Sequence, residues 1–175
     1  DVYKRQELNN NTLKLVKFFK DNKIKDKDRI AAYTANQIET VESFIASSSI
    51  GAIWSSCSPD FGTQGVIERF SQIKPKLLII TDRYYYNGKE INVLERLPAI
   101  LKKIKSIKNV LIINYPGKKN LKQKKIKGIK IFYFNKLKHK VKSKITFKKF
   151  DFDKELAILY SSGTTGKPKC ICHRA

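Results

Sequence analysis

The chain has 175 residues, 41% of them apolar, and a formal net charge of +22. That is enough chain and apolar surface for one domain with its own core, and it excludes a disordered polyelectrolyte. The charge comes from thirty-one lysines and only six arginines, which points to lysine spread over a solvated surface rather than to specific nucleic-acid recognition, where arginine's bidentate and stacking contacts are favoured.

Abundant Ile and Asn beside the lysines fit AT-rich coding, although so high a charge still attracts polyanions without specificity. Three cysteines (Cys57, Cys170 and Cys172) are too few and too odd in number for a disulfide framework, so a reducing compartment, the cytoplasm, is expected. No second Cys or His pair accompanies Cys170-Ile171-Cys172 at ligand spacing, and no structural zinc site is assigned. The longest uncharged run, Ser43 to Pro59, is serine-rich and shorter than the ~20 apolar residues a membrane span needs.

In chain order, residues 1–6 (Asp-Val-Tyr-Lys-Arg-Gln) resemble a translated sequencing-library adapter and are set aside, so the domain is expected over 7–175. Leu8, Leu13, Leu15, Val16, Phe18 and Phe19 predict a helix from about Glu7 to Asn22. A strand follows at Arg29–Tyr33. Asn36, with Glu39 three residues on, predicts the cap of a second helix carrying Ile38, Val41, Phe44 and Ile45. Ala52–Ser56 is the next strand, Cys57–Gly62 a loop and Thr63–Ile73 a helix. Lys76–Thr81 reads as a buried strand, Tyr84–Lys89 as a turn and Ile91–Ile107 as a helix that Pro98 kinks or restarts. Asn109–Ile113 is a further strand.

Residues 118–149 hold fourteen lysines and no acid; we read a solvated surface insertion with one strand near Ile129–Phe134. Phe132, Tyr133 and Phe134 among the lysines could stack nucleobases, but alternating burial in a strand accounts for them equally well. Strands alternating with helices predict an α/β fold: a mostly parallel sheet with flanking helices, its ligand beyond the carboxyl ends of the strands.

The last strand, Leu156–Tyr160, runs into Ser161-Ser162-Gly163-Thr164-Thr165-Gly166-Lys167-Pro168-Lys169. Glycines admit close backbone approach and positive φ, the four hydroxyls can donate, and the lysines add charge, which together make a phosphate cradle by composition. Only two residues separate Gly163 from Gly166, and Pro168 rather than Ser or Thr follows Lys167, so this is not a Walker A loop. A flexible connection has the same composition, and spacing alone leaves both readings open.

The residue order closely resembles the phosphate-binding signature of the adenylate-forming ligases, the superfamily of acyl-CoA synthetases, luciferases and peptide-synthetase adenylation domains. The resemblance implies ATP contacts for Ser161, Ser162, Gly163, Thr164, Thr165, Gly166 and Lys169, with Lys167 at a variable position. Two further stretches, Gly51–Gly62 and Arg69–Lys76, and also Tyr86–Lys89, resemble the acetoacetyl-CoA synthetases (acetoacetate–CoA ligases) within that superfamily. Acetyl- and propionyl-CoA synthetases carry a Gly- and Phe-rich sequence where this chain has Ser58-Pro59-Asp60-Phe61.

The resemblance implies that acetoacetate is activated by ATP to an acyl-adenylate, with Mg²⁺, and passed to coenzyme A. It also implies that residues 7–175 are part of a large N-terminal domain, inactive alone, whose catalytic and metal-binding residues lie downstream. Oligomeric state is left open. Cys170 and Cys172 stand where the family carries small apolar residues, so the resemblance implies buried packing for both. Asp60 is read chiefly as the cap of the following helix, with a substrate-selecting role as the alternative. The remaining functional alternatives are another short-chain acyl-CoA synthetase and a basic nucleic-acid-binding module.

Overall fold

Short apolar runs bounded by polar turns form the strands, and the amphipathic segments between them form the helices that cover the sheet. The structure is a computed structural model, and it describes residues 4–119, 121–137, 147–161 and 166–175. The elements follow as α1 (Arg5–Asp21), β1 (Arg29–Tyr33), α2 (Ile38–Ser49), β2 (Ile53–Cys57), α3 (Thr63–Ile73), β3 (Leu77–Thr81), β4 (Arg83–Tyr86) and β5 (Lys89–Asn92). A 3-10 turn (Leu94–Arg96), α4 (Leu97–Lys103), β6 (Asn109–Ile113), β7 (Lys130–Tyr133), β8 (Glu155–Ser161) and β9 (Lys169–Arg174) complete the order.

Among the described residues, a sheet of seven strands runs β7-β6-β3-β1-β2-β8-β9. Its first six strands are parallel, and β9 returns antiparallel along β8. Alternation along each strand sorts the core into two layers. Ile30, Ala32, Leu77, Ile79, Leu111 and Ile113 face α1 and α2, where Leu15, Phe18, Phe19 and Ala46 meet them. Ala31, Tyr33, Leu78, Ile80, Val110 and Ile112 face α3 and α4, against Val66, Phe70, Leu97 and Ile100. Every residue of β3 is buried, as expected of a central parallel strand covered on both faces. The expected α/β architecture is therefore the observed one, with β1, β2 and β8 side by side and their carboxyl ends together.

Several local expectations need correction. Helix α2 starts at Ile38 with Gln37 as its cap residue, not Asn36, and no side chain caps it. Tyr84–Lys89 is not a plain turn. Residues Arg83–Tyr86 pair with Lys89–Asn92 in a hairpin whose corner is Asn87 (φ 48) and Gly88 (φ 72). Two positive φ values in succession are the primed turn that an Asn-Gly pair favours. The helix expected over Ile91–Ile107 is reduced to α4, with Pro98 in its first turn, where a missing N–H costs nothing. Ahead of it the Asn92 side chain accepts from the Leu94 N–H at 3.0 Å.

The lysine-rich stretch supplies more than surface. Its strand, β7, closes one edge of the main sheet beside β6. Ile131 and Tyr133 pack on the α3/α4 side and Phe132 on the α1/α2 side, where its ring meets Phe18 edge-on at 4.9 Å. Residues 120 and 138–146 of that stretch lie outside the described residues. Strand β9 was not foreseen. Its six residues are all exposed, and Cys170 and Cys172 with them, so the buried packing expected of those cysteines is not what the structure has. Among the described residues, β9 is the outer strand and pairs with β8. Among the described residues, no helix is long and apolar enough to cross a membrane.

Candidate functional site

Parallel pairing decides where the predicted loop lies. Tyr33 ends β1 opposite Cys57 at the end of β2, and Trp54 of β2 pairs with Ala157 of β8. The loop entered from Cys57 and the loop entered from Ser161 therefore open at the same end of the sheet, where ligands of parallel α/β sheets bind.

Ser161 and Lys169 face each other across the antiparallel β8–β9 ladder, at the two ends of the predicted cradle. Ser162, Gly163, Thr164 and Thr165, the centre of the predicted cradle, lie outside the described residues. Ser161 is half-buried, whereas Gly166, Lys167 and Lys169 are exposed. Gly166 has φ +117, a conformation that strains any L side chain, although no atom lies within 4 Å of the place a Cβ would occupy. Glycine is there for its backbone freedom rather than for space. Pro168 is buried, and its carbonyl accepts from Gln72 Nε2 at 2.9 Å.

The strand entering the loop is pinned to its neighbour. The Ser55 hydroxyl of β2 donates to Ile158 O at 2.8 Å and shares a hydrogen bond with the Tyr160 hydroxyl at 3.0 Å. Burial pushes the Tyr160 phenol well above its usual range, with the Ser55 contact pulling the other way. Burial likewise pushes the Cys57 thiol up to about 12. Both groups stay protonated near neutrality, so neither serves as a base or a nucleophile.

The second loop, Ser58–Gly62, is held from beneath. The Tyr33 hydroxyl lies 3.1 Å from Pro59 O and 2.5 Å from Phe61 O, and it accepts from Arg96 Nη1. Arg96 Nη1 also donates to the same two carbonyls, at 2.8 and 3.2 Å. Asp60 does not cap α3, whose cap residue is Gly62; its carboxylate accepts from the Ser58 hydroxyl at 2.7 Å inside the loop.

Helix α3 joins the two loops. The Arg69 guanidinium stacks on Phe61 at 4.1 Å and lies 5.9 Å from the Tyr160 ring. Its Nη1 is fixed by Gly65 O at 2.9 Å. Tyr33 and Arg96 were not singled out from the sequence, and Arg69 and Gln72 entered only as part of the Arg69–Lys76 stretch, with no role assigned. For the two arginines a further signal was their scarcity in a chain so rich in lysine.

A cleft of about 660 Å³ lies at the opposite, amino end of β8, lined by Asp26, Lys148, Asp153, Lys154 and Arg174. Its charges neutralise one another: Asp26 pairs with Lys154 and with Lys148, the latter at 3.4 Å. The sheet's carboxyl end carries Ser161, Lys167 and Lys169, of which the two lysines are exposed. Among the described residues no cluster of three or more His, Cys, Asp or Glu could hold a metal ion. The donor set fits a phosphate rather than a directly ligated Mg²⁺.

The model of the family described as AMP-binding enzyme matches residues 3–175. The acetoacetyl-CoA synthetase of Gallus gallus is 43% identical over 156 residues, covering 87% of this chain and 23% of that protein. That of Xenopus tropicalis is 44% identical over 156 residues, with the same coverage. Among solved structures, the acetoacetyl-CoA synthetase from Streptomyces lividans superposes with a TM-score of 0.85 at 28% identity, covering 97% of this chain and 25% of that one. The chain thus spans about a quarter of the length of these relatives.

Proposed function

Since the chain belongs to the AMP-binding enzyme family, we propose that it is the amino-terminal part of a longer, cytoplasmic acid–thiol ligase acting on acetoacetate. The reaction has two steps. The acetoacetate carboxylate attacks the α-phosphorus of ATP, giving acetoacetyl-adenylate and pyrophosphate. The thiol of coenzyme A then displaces AMP and forms acetoacetyl-CoA. The observation that carries this reading is the 43% identity over 87% of the chain to a protein named acetoacetyl-CoA synthetase.

In this reading the Ser161–Lys169 loop holds the ATP phosphates. The N–H groups and hydroxyls of Ser161, Ser162, Gly163, Thr164, Thr165 and Gly166, with the Lys169 ammonium, face the charge that grows on the departing pyrophosphate. Donors fixed before the reaction stabilise that charge without reorganising, each worth on the order of 3 kcal/mol in such sites. Mg²⁺ would accompany the nucleotide and neutralise phosphate charge, held by the phosphates and by residues beyond this chain. The chain alone then has the cradle without the catalytic groups and turns over no substrate.

Exchange of labelled pyrophosphate into ATP by the full-length ligase, driven separately by acetoacetate and by acetate, tests the proposal. Exchange with acetoacetate alone supports both the chemistry and the acid. Exchange with acetate instead keeps the loop's role and replaces the substrate with another short-chain acid. No exchange with any short acid overturns the reading of the loop.

A further inference from the structure

The exit limb of the phosphate loop has few attachments. From Gly166 to Lys169, the first residue of β9, Gly166, Lys167 and Lys169 are exposed and Pro168 is buried. Pro168 has no N–H, so its carbonyl is its one main-chain group able to hydrogen-bond. That carbonyl accepts from Gln72 Nε2 at 2.9 Å. The same side chain reaches one residue further, where its Oε1 lies 3.5 Å from Cys170 Sγ. Gln72 is itself anchored: its Nε2 also donates to Glu68 O, one turn back along α3, at 2.9 Å.

Lys169 is held opposite Ser161 across the β8–β9 ladder, and the Gln72–Pro168 hydrogen bond gives the limb a second, lateral attachment to α3. Gln72 lies one turn beyond Arg69, which stacks on Phe61 of the neighbouring loop. Helix α3 therefore braces both loops at the sheet's carboxyl end from a single rigid element.

We infer that Gln72 is a positioning residue: its amide sets the angle at which the Gly166–Lys169 limb presents the loop to the ATP phosphates. The inference rests on the reading of that loop as the ATP site. Gln72 touches no substrate. Its loss spreads the limb over more orientations, of which fewer bind the nucleotide, and the apparent ATP affinity falls by the fraction lost. An effect confined to the nucleotide leaves the acetoacetate KM unchanged.

The experiment uses full-length ligase at pH 8 and pyrophosphate exchange, with KM measured for ATP and for acetoacetate. Gln72→Met keeps the shape and removes the donor. Gln72→His places a neutral ring N–H near the position of Nε2, since histidine titrates near 6.5. Gly166→Ala strains the loop itself. The expected result is an ATP KM raised about fivefold in Gln72→Met, the net worth of one hydrogen bond, with the acetoacetate KM unchanged and Gln72→His close to wild type. An ATP KM in Gln72→Met within twofold of wild type, while Gly166→Ala raises it, overturns the role of Gln72 alone. So does a parallel rise in both KM values, or failure of Gln72→His to restore binding. An unchanged ATP KM in Gly166→Ala overturns the reading of the loop as the ATP site, and the role of Gln72 with it.

Discussion

Replacing Arg96 tests whether the Ser58–Gly62 loop is held from below or merely follows its own turn. Arg96 Nη1 donates to Pro59 O at 2.8 Å and to Phe61 O at 3.2 Å, and it also meets the Tyr33 hydroxyl. Hydrogen bonds from a charged donor contribute about 1.5–3 kcal/mol each when protected from water. Arg96 is half-buried, so the low end applies, and the Tyr33 hydroxyl still serves one carbonyl after the change. Arg96→Met should therefore cost the loop about 2 kcal/mol, a roughly 30-fold increase in local opening at 1.4 kcal/mol per tenfold.

Backbone hydrogen exchange of peptides covering residues 57–66 in the full-length protein reads this directly. Amides with partners there include Asp60 N–H on Ser58 Oγ at 3.3 Å, Phe61 N–H on Ser58 O at 3.1 Å and Val66 N–H on Gly62 O at 3.2 Å. Exchange should accelerate about 30-fold in that segment. Arg96→Lys, a point donor that serves one carbonyl at a time, should fall between mutant and wild type. Tyr33→Phe combined with Arg96→Met should cost less than the sum of the two, because both act on the same carbonyls. Exchange unchanged within threefold in Arg96→Met would mean that the Ser58–Asp60 turn holds itself, and the brace argument would fail.

Asp60 is exposed and bonds only Ser58 within its loop, so Asp60→Ala in the full-length ligase should leave the acetoacetate-to-acetate preference unchanged within about twofold, as for surface changes generally; a larger shift in the ratio of kcat/KM values would assign Asp60 to the acid pocket. Brief alkylation of the 175-residue chain at pH 8, mapped by mass spectrometry, should label the exposed Cys170 and Cys172 and spare Cys57, which is buried and whose thiol is pushed up to about 12; equal labelling of all three contradicts the packing around β2. The hydrogen bond from Lys154 holds the Asp26 carboxyl below its usual value, with Lys148 helping. A carboxyl depressed in the folded state adds stability that is present above its unfolded value near 3.8 and is lost as pH falls through the folded one. Urea midpoints should therefore fall less steeply below pH 4 in Asp26→Asn than in wild type; identical acid limbs would show that this exposed pair contributes nothing.

The α/β alternation was legible because each buried strand is short, apolar and bounded by polar residues. β1, β6 and α3 lie where periodicity places them, and β3 is within a residue. Failures cluster where two local rules compete. Asn87-Gly88 was seen as a turn, but the strands on either side are Tyr-rich and Lys/Glu-rich, without the alternation that marks a half-buried hairpin. In 91–107 the helical spacing of Leu94, Leu97, Leu101 and Ile104 is real, and all four are buried, yet Pro98 and the Asn92 cap confine the α-helix to seven residues. β9 was invisible because Cys-Ile-Cys-His-Arg has no strand pattern of its own; its pairing comes from β8.

At the candidate site, the sequence pointed to the Ser161–Lys169 loop by its motif and hid the side chains that hold the neighbouring backbone. Motif spacing identifies residues that meet a ligand, while Tyr33, Gln72 and Arg96 act through backbone carbonyls that no pattern encodes. Arginine was nonetheless a usable marker. In a chain where lysine fills the solvated surface, an arginine in the interior of the sequence stands where a planar, multi-donor group is required. Four of the six behave this way. Arg29 donates to Ile73 O, Arg69 stacks on Phe61, Arg83 links Asp82 to Glu90, and Arg96 spans Pro59 and Phe61. The two others, Arg5 and Arg174, lie exposed near the chain ends. In lysine-saturated sequences the scarce arginines are thus the better guide to fixed geometry, and here two of them, Arg69 and Arg96, brace the Ser58–Gly62 loop at the same end of the sheet as the Ser161–Lys169 stretch.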